Sequence, residues 1–439
     1  MQRSWAVTAT DTLERCPECG STELYRVRTD PPWCVQCEWN LGEWPEPKRR
    51  RGRRAALRDR RRAFELNNRL MAEFRGVLPT EPRATRADDV LTAASVVLLS
   101  FDLLLFAGGV YLLITGNWLL KAIGAVLVLI GIECRPRFGR VDGGGTEITR
   151  AEAPQLWAVV DAAGQAIGAP RIDHLSMSNE FTASCGRAGL RGVNTLVIGL
   201  PLWGALSPTG RQALLGHELG HLVNGDPTRR FWTQSTLTTF GRLAQVFDPR
   251  DLDQTSPAKY HTRVDPRNAV SLTLAAVVQY VLFFPLHVLF AATQRALLRL
   301  AAEEHQRAEV YADGIGARLA GTRGALELAD ACLSPGLVNR GLIRGADESA
   351  DPEIWRRAVW ASLEQTPAEH RRAEQRSLRD QASRFAAHPP DGLRWRLAAS
   401  WPDIPPMIPI PDAQMAAGDR ELHRRYKSAQ RAILNRSVF

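Results

Sequence analysis

The sequence predicts an α+β protein that is mainly helical, with a small cysteine module and a membrane-embedded helical hairpin ahead of its main domain. Three observations support this. Four of the seven cysteines form two Cys-x-x-Cys pairs near the amino terminus, two apolar segments follow at Val90–Ile114 and Trp118–Ile132, and the residues from Thr149 onward mix helical and strand patterns. With 439 residues and 45% hydrophobic content, the chain is long enough to bury a sizeable core.

The two cysteine pairs are separated by fourteen residues, which is zinc-ribbon spacing. Met1–Arg15 has no apolar core of the kind that a secretory signal requires, so we expect the chain to begin in the reducing cytoplasm, where metal is favoured over disulfides. Four thiolates close the coordination shell of zinc, so the site would be structural. We therefore predict a zinc ribbon over residues 1–45 and hypothesise that it docks substrates or binds partners. The predicted ligands are Cys16, Cys19, Cys34 and Cys37.

A basic juxtamembrane segment, residues 46–88, precedes the apolar segments. The chain has a net charge of +9, and ten Lys and Arg residues with a single acid are packed between Lys48 and Arg62. Such a block repels itself and binds polyanions. Because an apolar stretch follows directly, anionic lipid headgroups are the nearest candidate partner, at roughly 1 kcal/mol per basic residue. We expect either this lipid surface or a plain solvated helix, in preference to nucleic acid.

The two apolar segments predict a transmembrane hairpin over residues 89–135. The first exceeds the roughly 20 residues that cross a hydrocarbon core, and the second is short. Arginines stand on both outer flanks, whereas the Gly116-Asn117 turn carries almost no charge. The positive-inside rule places the flanks in the cytoplasm. This predicts a multi-pass protein of the cell membrane, with its main domain and both termini cytoplasmic.

The motif His217-Glu218-Leu219-Gly220-His221 lies on a predicted helix that begins at Ser207-Pro208 and ends at Asn224-Gly225. Histidines four residues apart project from one face, so both imidazoles can reach one ion. With zinc bound, the pKa of a coordinated water falls towards about 7, and Glu218 is placed to act as its general base. The motif also arises by chance on surface helices, so a third ligand has to decide between the two interpretations.

The third ligand is expected on the next predicted helix, Ala302–Ala320. His305, Glu309 and Asp313 follow one another at four-residue intervals on one face of it. We predict Glu309 as the ligand, because two histidines and one glutamate leave a fourth position open for water. Asp313 is then placed to orient a ligand imidazole, and His305 is the competing ligand.

Four motifs occur in an order that is typical of one family. They are Ser178-Asn179-Glu180-Phe181, Leu214–His221, Glu309–Asp313, and His388-Pro389-Pro390 with Arg394 and Leu397. Over most of Ala153–Leu397 the sequence therefore resembles the HtpX-like and CAAX-prenyl-protease-like integral membrane metalloproteases. The amino-terminal zinc ribbon is not part of the common family pattern.

The resemblance implies a zincin-like (gluzincin) zinc metalloprotease domain, placed here at residues 141–400. It implies that Asn179 and Phe181 bind the substrate backbone by strand addition, although Glu180 stands where the family usually has a small residue. It also suggests His388 as a transition-state stabiliser. The alternative is a helix-terminating structural turn, which is favoured by Ala386-Ala387 standing where the family usually has Ser-Thr. Two zinc ions are expected, one catalytic and one structural.

A further apolar segment, Ala269–Thr293, separates the two halves of the predicted metal site. One crossing there would put Glu309 across the bilayer from His217, and two crossings need about 40 residues. We therefore predict an apolar, non-spanning helix near residues 269–300, kinked at Pro285. Residues 401–439 are predicted to form a proline-rich linker and a basic helix.

Together these features predict a membrane-anchored zinc endopeptidase that cleaves proteins or peptides at the cytoplasmic membrane face, in quality control or processing. An alternative from a different class is a catalytically idle membrane adaptor that binds partners through its zinc ribbon.

Overall fold

The computed structural model of the chain is mainly helical with a small sheet, as the sequence predicts. It divides into two compact units, of which the first comprises residues 1–82, 140–227 and 305–439, and the second comprises residues 83–139 and 228–304. The structure describes residues 13–27, 30–45, 52–79, 86–134, 145–188, 192–225, 236–237, 239–245, 247–248, 266–364, 366–383, 385–386 and 388–435.

The first unit begins with the cysteine module. A two-stranded antiparallel sheet of β1 (Leu24–Tyr25) and β2 (Trp33–Cys34) is followed by helix α1 (Arg53–Phe74). Helix α1 buries Leu66, Leu70 and Phe74 at helical spacing, and its arginines lie on the remaining faces. The basic residues Lys48–Arg51 lie outside the described residues.

The sheet of the main domain has the strand order β3-β4-β6-β5. Its strands are β3 (Thr146–Glu147), β4 (His174–Ser178), β5 (Ala183–Ala188) and β6 (Val193–Gly199). Strands β4 and β6 are parallel, and the other two pairs are antiparallel. Helix α4 (Pro154–Ile167) lies between β3 and β4 in the chain and buries its apolar face in the main core. Because it stands last in the strand order, β5 is an edge strand of the described sheet.

The helices that build the site follow the sheet. They are α5 (Leu200–Ala205), α6 (Pro208–Val223), α7 (Pro266–Leu333), α8 (Pro335–Glu348), α9 (Pro352–Leu363), α10 (Pro367–Asp380) and α11 (Asp391–Ser400). Residues 305–333 of α7 belong to the first unit, where Gly321 (φ 78°) interrupts the helical backbone.

The carboxyl-terminal segment is part of the main core. Helices α12 (Asp412–Glu421) and α13 (His423–Leu434) bury an apolar stripe that includes Tyr426, Ala429 and Ile433. The sequence predicted a linker and a basic helix here. The difference arises because three apolar residues at helical spacing suffice to pack a helix whose other faces are basic.

In the second unit, α2 (Arg86–Thr115) and α3 (Trp118–Cys134) pack closely, since a Cβ on Gly109 would lie 2.9 Å from Gly124 O. Among the described residues, one helix is long and apolar enough to cross a membrane, Asp89–Thr115, and only 11% of its apolar window is buried. The apolar part of α3, Trp118–Ile132, is shorter. The arginine-rich flank 135–140 lies outside the described residues.

The remainder of the second unit contains the amino-terminal part of α7. The helix predicted near residues 269–300 lies within α7, and Pro285 is inside it. His287 Nδ1 lies 2.7 Å from the carbonyl oxygen of Ala244, which ties α7 to the preceding segment.

Candidate metal centre and catalytic site

Helix α6 carries the motif histidines and starts from a defined cap. Ser207 Oγ accepts a hydrogen bond from Gly210 N (3.2 Å), and the Glu327 carboxylate accepts one from Ser207 N. The helix ends before Gly225, whose φ of 73° lies in the left-handed region. Residues 210–222 are all buried, so α6 is a central helix of the domain.

Helices α6 and α7 touch through their backbones. A Cβ on Gly216 would lie 2.7 Å from Gly316 Cα, and one on Gly220 would lie 3.3 Å from Ala312 Cα. Protein cores are close-packed, so a side chain at Gly216 would force the two helices apart. This close approach sets Glu309 on α7 beside the histidines of α6.

Three buried side chains converge where these helices meet. His217 Nε2 lies 3.5 Å from Glu309 Oε2, and His221 Nε2 lies 3.6 Å from Glu309 Oε1. One ligand atom from each of the three residues lies within 4.8 Å of the others. Ligands about 2.1 Å from a tetrahedral zinc ion are about 3.4 Å apart. The donor set and its spacing therefore fit one zinc ion.

Asp313 and Arg394 surround the outer nitrogen of His217. Asp313 Oδ1 lies 2.8 Å from His217 Nδ1. The guanidinium of Arg394 holds both oxygens of the same carboxylate, at 2.6 Å and 2.8 Å. A histidine that donates from Nδ1 keeps the lone pair of Nε2 for a metal. The structure thus brings Asp313 into contact with the imidazole that we predict it to orient.

The electrostatics of the cluster favour a cation. Burial opposes a charged His217, but its hydrogen bond to Asp313 and its contact with Glu309 outweigh burial and raise the pKa of the imidazole to about 10. Burial also opposes an ionised Glu309, yet the neighbouring histidines hold the pKa of this carboxyl well below its usual range. The negative potential that favours a proton on His217 also favours a divalent cation there.

Glu218 lies on α6 beside the edge strand β5. Its side chain is 6% exposed. Burial raises the pKa of the Cys185 thiol on β5, and the nearby charge of Glu218 raises it further. The predicted general base therefore lies close to an outer strand of the described sheet.

Asn179 and Phe181 lie between β4 and β5. Asn179 Nδ2 is 3.4 Å from Ser428 Oγ on α13, and Phe181 packs against the main core. Both edges of β4 are bonded, to β3 and to β6. An added peptide strand would therefore pair with one of the two outer strands of the described sheet, β3 or β5, and β5 is the one that follows these two residues.

Two more histidines reach Glu309. His388 Nδ1 lies 2.6 Å from Glu309 Oε2, with a side chain that is 53% exposed, and His305 Nε2 lies 3.7 Å from Glu309 Oε1. His388 thus stands at the solvent side of the cluster. From the sequence, Arg394 is recognised only as part of a motif. Its pairing with Asp313 is not predicted, because the two positions are far apart in the chain.

The four amino-terminal cysteines also converge. Cys16 Sγ is 3.5 Å from Cys37 Sγ, and Cys19 Sγ is 3.6 Å from Cys34 Sγ. All four sulfurs lie within 4.8 Å of one another. Sulfurs at the zinc–thiolate distance of about 2.3 Å on a tetrahedron are about 3.8 Å apart. The cluster therefore fits one zinc ion.

Comparison with known proteins identifies one family. The model of peptidase family M48 matches residues 152–401, a range that contains α6, Glu309 and Arg394. A search of curated proteins and a search of solved structures each gave no match. Peptidases of family M48 use zinc, in agreement with the cluster on α6 and α7. Since the match covers more than half of the chain, the chain belongs to peptidase family M48, the HtpX and CAAX protease family of zinc metallopeptidases.

Proposed function

We propose that the chain is a membrane-anchored zinc endopeptidase that hydrolyses protein or peptide substrates at the cytoplasmic face of the cell membrane, in quality control or processing. The observation that carries this proposal is the convergence of His217, His221 and Glu309 in a chain of family M48. Three such ligands fill all but one position of a tetrahedral shell, and the open position suits catalysis.

Each side chain around the cluster is assigned one role in peptide-bond hydrolysis. Bound zinc supplies a Lewis acid that lowers the pKa of water and polarises the scissile carbonyl. Glu218 accepts the proton of the attacking water and delivers it to the leaving amine. Asp313 orients His217 through its contact with Nδ1. His388 donates to the developing oxyanion, a role that its half-exposed position beside Glu309 supports.

Substrate binding is assigned to the sheet edge beside α6. An extended peptide adds to β5 by backbone hydrogen bonds, with Glu218 nearby. Asn179 and Phe181 shape the turn that leads into this strand. The unpaired edge of β5 in the described sheet supports this assignment, because strand addition needs a free row of backbone groups.

The membrane hairpin is supported by a contact between the part of the chain that precedes it and the part that follows it. The cysteine module precedes α2 and the M48 domain follows α3, yet the two are joined, with Trp33 Nε1 donating to Gln375 Oε1 at 3.0 Å. His217 and Glu309, which flank the later apolar segment, are likewise in contact at 3.5 Å. The two contacts together allow segment 86–134 only an even number of crossings. Two crossings, by α2 and a thinned bilayer around α3, satisfy this requirement and keep the basic residues of α1 at the anionic cytoplasmic surface.

One variant tests the catalytic assignment. Glu218→Gln should abolish casein cleavage by the full chain in detergent while both zinc ions per chain, measured by mass spectrometry, are retained. Glu348→Gln is the matched control, because it makes the same chemical change on an exposed helix end. Cleavage by Glu218→Gln at the rate of the control would refute Glu218 as the base.

A further inference from the structure

The cysteine module is bonded to one helix of the M48 domain. Trp33, which is 1% exposed, donates from Nε1 to Gln375 Oε1 of α10. Gln375 is 0% exposed and donates from Nε2 to the carbonyl oxygen of Val35 at 2.9 Å. Val35 lies between Cys34 and Cys37 in the second Cys-x-x-Cys pair. A single buried amide therefore joins the backbone of the metal-binding turn to α10.

A second buried residue of α10 makes the same connection. Arg379 is 1% exposed and lies over the Trp33 ring, with its guanidinium carbon 4.6 Å from the ring centroid. It donates to the carbonyl oxygens of Pro31 (3.1 Å) and Glu43 (2.8 Å). In return, Trp44 Nε1 donates to the carbonyl oxygen of Arg379 at 3.1 Å. The module thus supplies partners for a buried charge, both from its backbone and from Asp30, whose Oδ2 lies 3.7 Å from Arg379 Nη1.

Helix α11 is held by the module as well. Arg396 forms ion pairs with Glu38 of the module and with Glu374 of α10. Glu38 directly follows Cys37, and its left-handed backbone (φ 60°) belongs to the turn that the metal would close. The module therefore contacts both α10 and α11.

Helices α10 and α11 frame the segment that carries His388. Ser377 Oγ accepts from Gly392 N at 2.9 Å, and Gln381 Oε1 accepts from Asp391 N at 2.8 Å, which close the loop between the two helices. His388 lies in this loop beside Glu309, and Arg394 on α11 holds Asp313. The module therefore contacts the same two helices, α10 and α11, that position His388 and Arg394 at the catalytic cluster.

We propose that the amino-terminal cysteine module is an intramolecular clamp that positions His388 and Arg394 for catalysis, with Gln375 and Arg379 as positioning residues. A module this small depends on its metal to fold. Without the metal, Gln375 and Arg379 lose buried partners, and α10 shifts to rehydrate them. The inference rests on the proposed peptidase function.

The same contacts weigh against the module as a docking site for substrates or partners. Trp33 and Trp44, two of the tryptophans beside the cysteines, are 1% and 8% exposed and are hydrogen-bonded to α10. Interface hot spots are enriched in such aromatics, and here they bind the rest of the chain.

The first test removes the connection and leaves both metal sites intact. Gln375→Met keeps the side-chain length but loses the hydrogen bonds to Trp33 and Val35. We expect both zinc ions to be retained, kcat on a quenched-fluorescent peptide to fall roughly 10- to 100-fold with KM unchanged, and backbone hydrogen exchange across residues 381–394 to accelerate. Gln430→Met is the matched control, because Gln430 also donates to a backbone carbonyl, that of Ala346, away from the module. Equal kcat and equal exchange in the two variants would overturn the clamp.

The second test removes the metal of the module. In the full-length Cys34→Ser/Cys37→Ser variant we expect one zinc ion per chain, the same loss of kcat on the short peptide, and faster loss of the remaining zinc to a chelator. If the variant cleaves the short peptide at the normal rate but no longer cleaves protein substrates, the module is a docking site and the clamp is wrong. If the unmodified chain cleaves nothing, the peptidase proposal fails, while hydrogen exchange and zinc retention still decide the clamp.

Discussion

Arg394 grips Asp313 through two parallel hydrogen bonds, from Nη2 to Oδ1 at 2.6 Å and from Nε to Oδ2 at 2.8 Å. The two side chains are 12% and 13% exposed. Asp313 Oδ1 also lies 2.8 Å from His217 Nδ1. A bidentate arginine fixes the plane of a carboxylate as well as its charge. The arginine therefore fixes the carboxylate that contacts the His217 imidazole, without itself belonging to the candidate metal cluster.

Arg394→Lys should weaken the catalytic zinc site. Lysine keeps the charge but is a point donor that cannot bond both carboxylate oxygens in one plane. We expect kcat/KM and zinc affinity to fall roughly 10- to 100-fold, measured by peptide hydrolysis and by chelator competition. Arg340→Lys on the exposed surface of α8 is the control. Wild-type zinc affinity in Arg394→Lys would show that Asp313 orients His217 unaided.

Asp313→Asn should not add to that loss. If Arg394 acts only by holding Asp313, the two residues form one unit, and their effects on zinc affinity are non-additive. The double variant should then lose about as much affinity as Asp313→Asn alone. Full additivity in the same chelator competition would indicate that Arg394 acts on the site by a separate route.

Gly316→Val should destroy the catalytic metal site by separating its helices. A Cβ at Gly316 would lie 2.8 Å from the carbonyl oxygen of Ala213 on α6. Because this oxygen belongs to the helix backbone, the clash can be relieved only if one of the two helices moves. Overpacking of this kind costs about 1–3 kcal/mol or more. We expect a lower thermal midpoint and one zinc ion per chain in place of two. Gly336→Ala, which meets nothing within 4 Å, should leave both unchanged.

The local part of the site was predictable from the sequence. The helix of His217 and His221 lies where its cap at Ser207 and its stop at Gly225 predict it, because capping and turn chemistry act over a few residues. The family resemblance, which rests on ordered motifs, is confirmed by the family match over residues 152–401.

The non-local part was not predictable. The Gln375 amide that bridges Trp33 and Val35 joins residues more than 300 positions apart, and neither end has a pattern that points to the other. The role of Arg394 likewise depends on helix packing that brings α11 to α7. Single-sequence patterns report local periodicity, whereas these contacts depend on tertiary arrangement.

Asp419→Ala should destabilise the domain although it lies far from the metal in sequence. Asp419 accepts from Arg211 Nη1 at 2.7 Å and from Tyr426 OH at 2.8 Å. Arg211, at 1% exposure, would keep a buried charge without its carboxylate. We expect a loss of about 3 kcal/mol in the free energy of unfolding, measured by urea denaturation in detergent. Asp403→Ala, at an exposed position, should change it by less than about 0.5 kcal/mol.

Membrane topology gives the last prediction, because the joined segments on either side of α2 and α3 require an even number of crossings. If both helices cross, the exposed residue Asn117 between them faces away from the cytoplasm. Asn117→Cys should therefore react with a membrane-impermeant maleimide on intact cells, whereas Glu348→Cys should react only after permeabilisation. The parent chain measures the background from its native cysteines.

Two outcomes would contradict this topology in different ways. Labelling of Glu348→Cys on intact cells would reverse the orientation and place the M48 domain outside the cytoplasm. Protection of Asn117→Cys until permeabilisation would mean that the hairpin does not cross. Because the Trp33–Gln375 and His217–Glu309 contacts together require an even number of crossings here, a single crossing by α2 would break one of them, and the clamp or the metal cluster would then fail with the topology.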